Sequence, residues 1–86
     1  MKIHFLIPVY NDKKSLTKLI KTICQKYNQY LISFLIINDG SNEVFEDLKD
    51  QFQLNIFEII NLKSNQGSQK SISIGIKYLQ ENEKFS

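Results

Sequence analysis

The stretch Phe34-Leu35-Ile36-Ile37-Asn38-Asp39-Gly40-Ser41-Asn42 decides the fold. Its four consecutive apolar residues read as a strand buried on both faces, the kind found in a parallel sheet covered by helices. The run stops at a carboxylate, a glycine and two residues that cap helices well. In an open α/β sheet, ligands bind just beyond the carboxyl ends of the strands, where the loops part and helix N-termini present free N–H groups. Asp39 stands at such a place. Asn38 and Asp39 must reach water, a hydrogen-bonded turn or a ligand, because burying them unpaired is costly. Asp-Gly-Ser-Asn is equally ordinary turn chemistry. Taken alone, the stretch leaves turn and site equally open.

Upstream, Lys2 to Val9 is a strand carrying Ile3, Phe5, Leu6, Ile7 and Val9. Pro8 offers no ladder N–H and belongs at its end. Asn11 or Asp12 caps a helix whose Leu16, Leu19, Ile20, Ile23, Cys24 and Tyr27 recur at the spacing of one buried face, so Cys24 reads as a core residue. Asn28 to Tyr30 is a polar link into the strand Leu31 to Asn38. The lone His4 has no partner in view and receives no role.

Downstream, Ser41 or Asn42 is expected to cap a short helix with Val44, Phe45, Leu48 and Phe52 on one side. Glu43, Glu46 and Asp47 fall in its first turns, where acids favour the helix dipole, so they read as structural. Asn55 to Leu62 supplies a third strand, and Lys63 to Ser68 a turn. Ser71 to Ile76 alternates like a strand, yet Ile72, Gly75, Ile76 and Leu79 also fall at helical spacing, ahead of good helix formers. The helical reading is preferred. Gly75 costs about 1 kcal/mol there relative to alanine, which points to a close approach to the sheet. The order is strand-helix three times: an α/β fold with a parallel sheet and right-handed crossovers.

With 86 residues the chain is one small domain or part of a larger one. Its net charge of +2 comes from lysines interleaved with acids and no arginine, so no patch suggests nucleic acid or an anionic membrane. Cys24 is the only cysteine and forms no internal disulfide, and no cysteine-histidine spacing suits zinc. The apolar start from Ile3 to Val9 is too short to span a membrane and lacks a secretion cleavage site. A cytoplasmic location is expected.

Three loops consequently open on one edge of the sheet: Pro8 to Asp12, Asn38 to Asn42, and Lys63 to Ser68. A dinucleotide-binding domain would need G-x-G-x-x-G after the first strand, where this chain has Pro-Val-Tyr-Asn-Asp. A Walker phosphate loop is also absent. Ile7-Pro8-Val9-Tyr10-Asn11-Asp12, then Ile37-Asn38-Asp39-Gly40-Ser41, then Asn65-Gln66-Gly67 with Gly75 downstream, resemble the successive signatures of family 2 glycosyltransferases. There the pattern is P-V-Y-N-E, D-D-G-S and N-x-G with a following helix glycine, on a Rossmann-like nucleotide-sugar-binding fold called GT-A. The match covers nearly the whole chain in order.

The resemblance implies a half-domain with strand order 3-2-1, holding a UDP- or GDP-linked sugar. Pro8, Val9, Tyr10 and Asp12 would line the pocket for base and ribose, Asp12 standing for the usual glutamate. Asp39 would accept a hydrogen bond from the base imide N–H, with Gly40, Ser41, Asn65 and Gly67 completing the nucleotide site; Asp39→Asn is then expected to be milder than Asp39→Ala. Asn38 replaces the family's first aspartate, and Ser68 and Gln69 stand where many members have Lys and Gly. The family's D-x-D motif, which holds Mn²⁺ or Mg²⁺ on the diphosphate, falls after Ser86. Residues 1–86 are therefore expected to be the N-terminal nucleotide-binding part, inactive alone and self-associating through the first strand. A non-catalytic nucleotide-binding or subunit-interaction module is the alternative.

Overall fold

Alternation along the central strand divides the molecule into layers. The structure, a computed structural model, describes residues 1–85. It comprises β1 (Lys2–Val9), α1 (Lys13–Lys26), β2 (Leu31–Asn38), α2 (Asp47–Gln51), β3 (Ile56–Asn61), α3 (Ser68–Glu81) and a terminal 3-10 turn, Glu83–Phe85. Phe34, Leu35, Ile36 and Ile37 of β2 are all without solvent exposure. Phe34 and Ile36 join Leu16, Ile20 and Ile23 of α1 and Phe45 and Leu48 around α2. Leu35 and Ile37 point the other way, to Leu6, Tyr78, Leu79 and Phe85. Each such side chain contributes about 1.5–3 kcal/mol by leaving water, so β2 is the axis of the fold.

The sheet is parallel with order β1-β2-β3, which is the expected 3-2-1 read from the opposite edge. The Leu31 N–H donates to the Met1 carbonyl at 3.0 Å, and the Asp39 N–H to the Val9 carbonyl at 2.9 Å. Odd-numbered residues of β1 therefore face β2, and Lys2, His4, Leu6 and Pro8 turn their backbone groups to the open edge. Pro8 thus lacks its N–H on the side where no described strand needs it.

The third helix is a helix, beginning at Ser68, and Gly75 lies hard against β1, since a Cβ there would run into Leu6 Cδ1. Elsewhere the structure corrects the sequence. Ser41 and Asn42 do not cap the second helix, which starts only at Asp47 behind Glu46. The Ser41 hydroxyl instead accepts the Asn11 N–H at 2.7 Å, and the Asn42 N–H donates to Asn11 Oδ1 at 3.0 Å. Residues committed to another loop cannot also turn into a helix. Val44 is 65% exposed, leaving burial to Phe45 and Leu48. Leu19 is 43% exposed because it lies over the open edge of β1, beside Ile7 and Pro8. The third strand is shorter than expected, Ile56–Asn61. His4 has a partner, with Nδ1 3.1 Å from Ser33 Oγ and its ring edge-on to Phe85.

Candidate functional site

Strand register assembles the loop edge. Pairing of Asn38 with Asn61 sets the ends of β2 and β3 side by side, and the Asn38 amide donates to Asn61 Oδ1 at 2.8 Å. Asn38 Oδ1 accepts the Ser41 N–H at 2.9 Å, closing the turn after β2. Gly40 completes that turn with φ +81°, a left-handed conformation that glycine adopts freely. It also lies flat against the next loop, where a Cβ would sit 2.6 Å from the Asn65 nitrogen.

Asp39 is only 3% exposed, and its carboxylate gathers the third loop. Oδ1 accepts the Gln66 N–H at 2.7 Å, and Oδ2 accepts the Gly67 N–H at 3.0 Å and Asn65 Nδ2 at 3.2 Å. Such charge-assisted bonds are roughly twice as strong as neutral ones. They hold Gly67, at φ +92°, as the N-cap of α3, which has no side-chain cap of its own. Asp39 thus builds the turn, and the turn lies at the mouth of a cleft.

The first loop is tied to the second. Asn11 adopts φ +48° and bonds Ser41 and Asn42 reciprocally, while the Lys13 N–H donates to Glu43 Oε1 at 3.1 Å. Lys13 Nζ lies 2.8 and 3.0 Å from the two oxygens of Asp47 and holds that carboxyl below its ordinary range. Of the acids around α2, Glu43 and Asp47 brace Lys13 at the start of α1, Glu46 accepts the Phe45 N–H, and Asp47 also lies in the first turn of α2.

Two clefts flank the end of β1. One, of about 170 Å³, is lined by Pro8, Val9, Tyr10, Asp39, Asn65, Gly67 and Ser68. The other, of about 250 Å³, lies on the α1 side and includes Pro8, Val9, Tyr10 and Asp12 with Leu16 and Leu19. Of the nine expected residues, the first cleft gathers Pro8, Val9, Tyr10, Asp39, Asn65 and Gly67. Asp12 lines the second and caps α1, accepting the Ser15 N–H at 3.2 Å. Gly40 and Ser41 support the loops behind the first cleft. Sequence reasoning missed Ser68 as a wall, and it missed Asn11 as the joint between loops; the helix start after Gly67 and the polar Asn11 after Tyr10 were the available signals.

Among the described residues, no group of three or more His, Cys, Asp and Glu side chains could hold a metal ion. No described helix is long and apolar enough to cross a membrane.

An open parallel sheet with three loops tied around a cleft at its carboxyl edge is the architecture of α/β ligand-binding domains. The sequence comparisons narrow that class. Residues 5–82 match the glycosyl transferase family 2 profile. A protein of Synechocystis sp. (strain ATCC 27184 / PCC 6803 / Kazusa), described as an uncharacterized glycosyltransferase, is 33% identical over 86 residues, covering 95% of this chain and 27% of the relative. The chain belongs to glycosyl transferase family 2 and spans about a quarter of that relative's length.

Proposed function

We propose that this chain supplies the nucleotide-binding part of a glycosyltransferase that moves a sugar from a nucleotide-diphosphate sugar to an acceptor hydroxyl or lipid phosphate. The observation that carries this reading is the convergence of Pro8, Val9, Tyr10, Asp39, Asn65, Gly67 and Ser68 on one cleft at the carboxyl edge of the sheet. In it, Pro8, Val9 and Tyr10 offer an apolar wall to base and ribose. Asp39 accepts the base N–H, as an ionised carboxylate accepts but does not donate. Asn65 and Gly67 border the start of α3, and Gly40 and Ser41 fix the loop from behind. Asp12 extends the surface along α1.

A divalent metal, supplied with ligands from beyond these residues, would stabilise the departing diphosphate in the intact enzyme. The chain by itself would bind without transferring sugar. It would work at the cytoplasmic side of the cell, associating with a second copy through β1 when that edge is uncovered. Titration with uridine diphosphate, followed by NMR at the Tyr10, Gln66 and Gly67 amides, tests the reading. Localised shifts support it, and unchanged spectra at millimolar nucleotide would sink it.

A further inference from the structure

We infer that Asn11 is a positioning residue for the nucleotide assigned above to the cleft, acting through Tyr10; the inference rests on that reading. Tyr10 lines both clefts that flank the end of β1. It is 52% exposed, so packing alone does little to fix its ring. Its place is set by the residues on either side. Val9, before it, is held because its carbonyl accepts the Asp39 N–H at 2.9 Å. Asn11, after it, is held twice: its N–H donates to Ser41 Oγ at 2.7 Å, and its Oδ1 accepts the Asn42 N–H at 3.0 Å. Tyr10 is thus strung between two points that are both fixed on the loop after β2.

The second of those points asks two things of one residue. At φ +48° the backbone of residue 11 is left-handed, which asparagine and aspartate tolerate better than other side chains that carry a Cβ. Closing the pair of bonds also needs a short side chain with an acceptor oxygen. Glycine meets the first demand and fails the second.

Ser41 carries the tie onward, since its own N–H donates to Asn38 Oδ1 at 2.9 Å, and the Asn38 amide donates to Asn61 Oδ1 at 2.8 Å. The first loop is thereby anchored to the ends of β2 and β3. Breaking the joint at Asn11 leaves Tyr10 anchored at Val9 alone. A wall that must be ordered during binding lowers affinity, because the ordering cost is then drawn from the binding energy.

The test is NMR of Asn11→Gly and Asn11→Asp beside the parent chain, reading the Tyr10 ring signals without ligand and the Gln66 and Gly67 amides during titration with uridine diphosphate. Asn11→Gly is expected to move the Tyr10 ring signals and to weaken binding about threefold to tenfold, the range of one lost hydrogen bond. Asn11→Asp keeps the acceptor and the left-handed backbone, so its Tyr10 ring signals should match the parent's. Ser41→Ala removes the partner of the Asn11 N–H; it should reproduce the Asn11→Gly result, and it takes that variant's place if Asn11→Gly does not fold. Urea unfolding establishes that each titrated variant is fully folded, a condition under which lost stability by itself leaves affinity unmoved. Parental affinity in Asn11→Gly and Ser41→Ala would overturn the inference while leaving nucleotide binding intact. Weaker binding with unmoved Tyr10 ring signals would do the same, as would ring signals in Asn11→Asp that follow those of Asn11→Gly. If the parent itself does not respond to uridine diphosphate, the nucleotide-binding reading fails and this inference with it.

Discussion

Asp39 Oδ2 accepts the backbone N–H of Gly67 at 3.0 Å across 28 positions of sequence, while Oδ1 takes that of the preceding residue, Gln66, at 2.7 Å. Two consecutive amides of one loop are therefore held by the two oxygens of a single carboxylate. This bears on substitution, because an asparagine at 39 would turn its NH₂ group toward one of those two amides in either orientation. Both Asp39→Asn and Asp39→Ala should lose about 1–3 kcal/mol of stability, the cost of leaving a buried donor unsatisfied. Urea unfolding measures it, and an asparagine variant as stable as the parent would contradict the two-amide tie. Both should also weaken uridine diphosphate binding by about tenfold or more.

Gly40→Ala should be more damaging than its size implies. The residue sits at φ +81°, and the added methyl would meet the backbone of Ser64 and Asn65, which cannot rotate aside as a side chain can. Left-handed strain alone costs about 1–2 kcal/mol, and the collision adds to it by displacing the third loop. Thermal unfolding together with the amide shifts of Asn65 and Gln66 would show both effects. Gly67→Ala is the comparison without a collision, since its backbone at φ +92°, ψ 155° is strained for any residue but glycine while an added Cβ meets nothing within 4 Å.

Lys13 and Asp47 should show a weak acid dependence of defined sign. The ion pair lowers the Asp47 pKa in the folded state. Its stabilisation is thus present above the unfolded carboxylate pKa, about 3.9, and is lost as pH falls through the lower folded value. Asp47 is 58% exposed, so the effect should be small and should shrink with added salt. Urea unfolding of the parent and Lys13→Met should differ at neutral pH and converge in strong acid; a constant difference across that range would show that the pair is not its source.

Cys24 should react slowly. Burial against the α1 core raises its thiol pKa, which keeps it protonated and a poor nucleophile at neutral pH. Iodoacetamide should label the unfolded chain in urea much faster than the native one. The raised value also means that folding loses stability as pH rises past the unfolded thiol range, about 8.5.

The open edge of β1 should make the chain self-associate. Lys2, His4, Leu6 and Pro8 direct their backbone groups outward, and half-exposed Leu19, Ile72 and Ile76 are apolar residues on the flanking helices. Unprotected edges of this kind template pairing, although Pro8 withholds one donor. Light scattering should find dimers or larger species, with the outward His4 and Leu6 amides gaining protection from exchange as concentration rises. A monomer at high concentration, with those two amides exchanging freely, would refute it.

Local pattern alone determined a good deal. The apolar run of β2 dictated a doubly covered strand, helical spacing at Leu16, Ile20 and Ile23 gave α1 its buried face, and Gly75 marked a close approach to β1. Such features depend on neighbours within a few positions, so the sequence displays them directly. Asp39 was legible as a position at the end of a strand, but its partners were not. Asn65, Gln66 and Gly67 lie 26 to 28 residues away and reach it only because Asn38 pairs with Asn61 in the sheet. The same limit applies to Ser41 and Asn42, whose capping chemistry was real but was drawn to Asn11, and to Leu19, which has the spacing of a core residue but lies over an edge strand. Tertiary structure decides these because strand register and strand order, rather than local propensity, determine which polar groups meet and which apolar faces are covered.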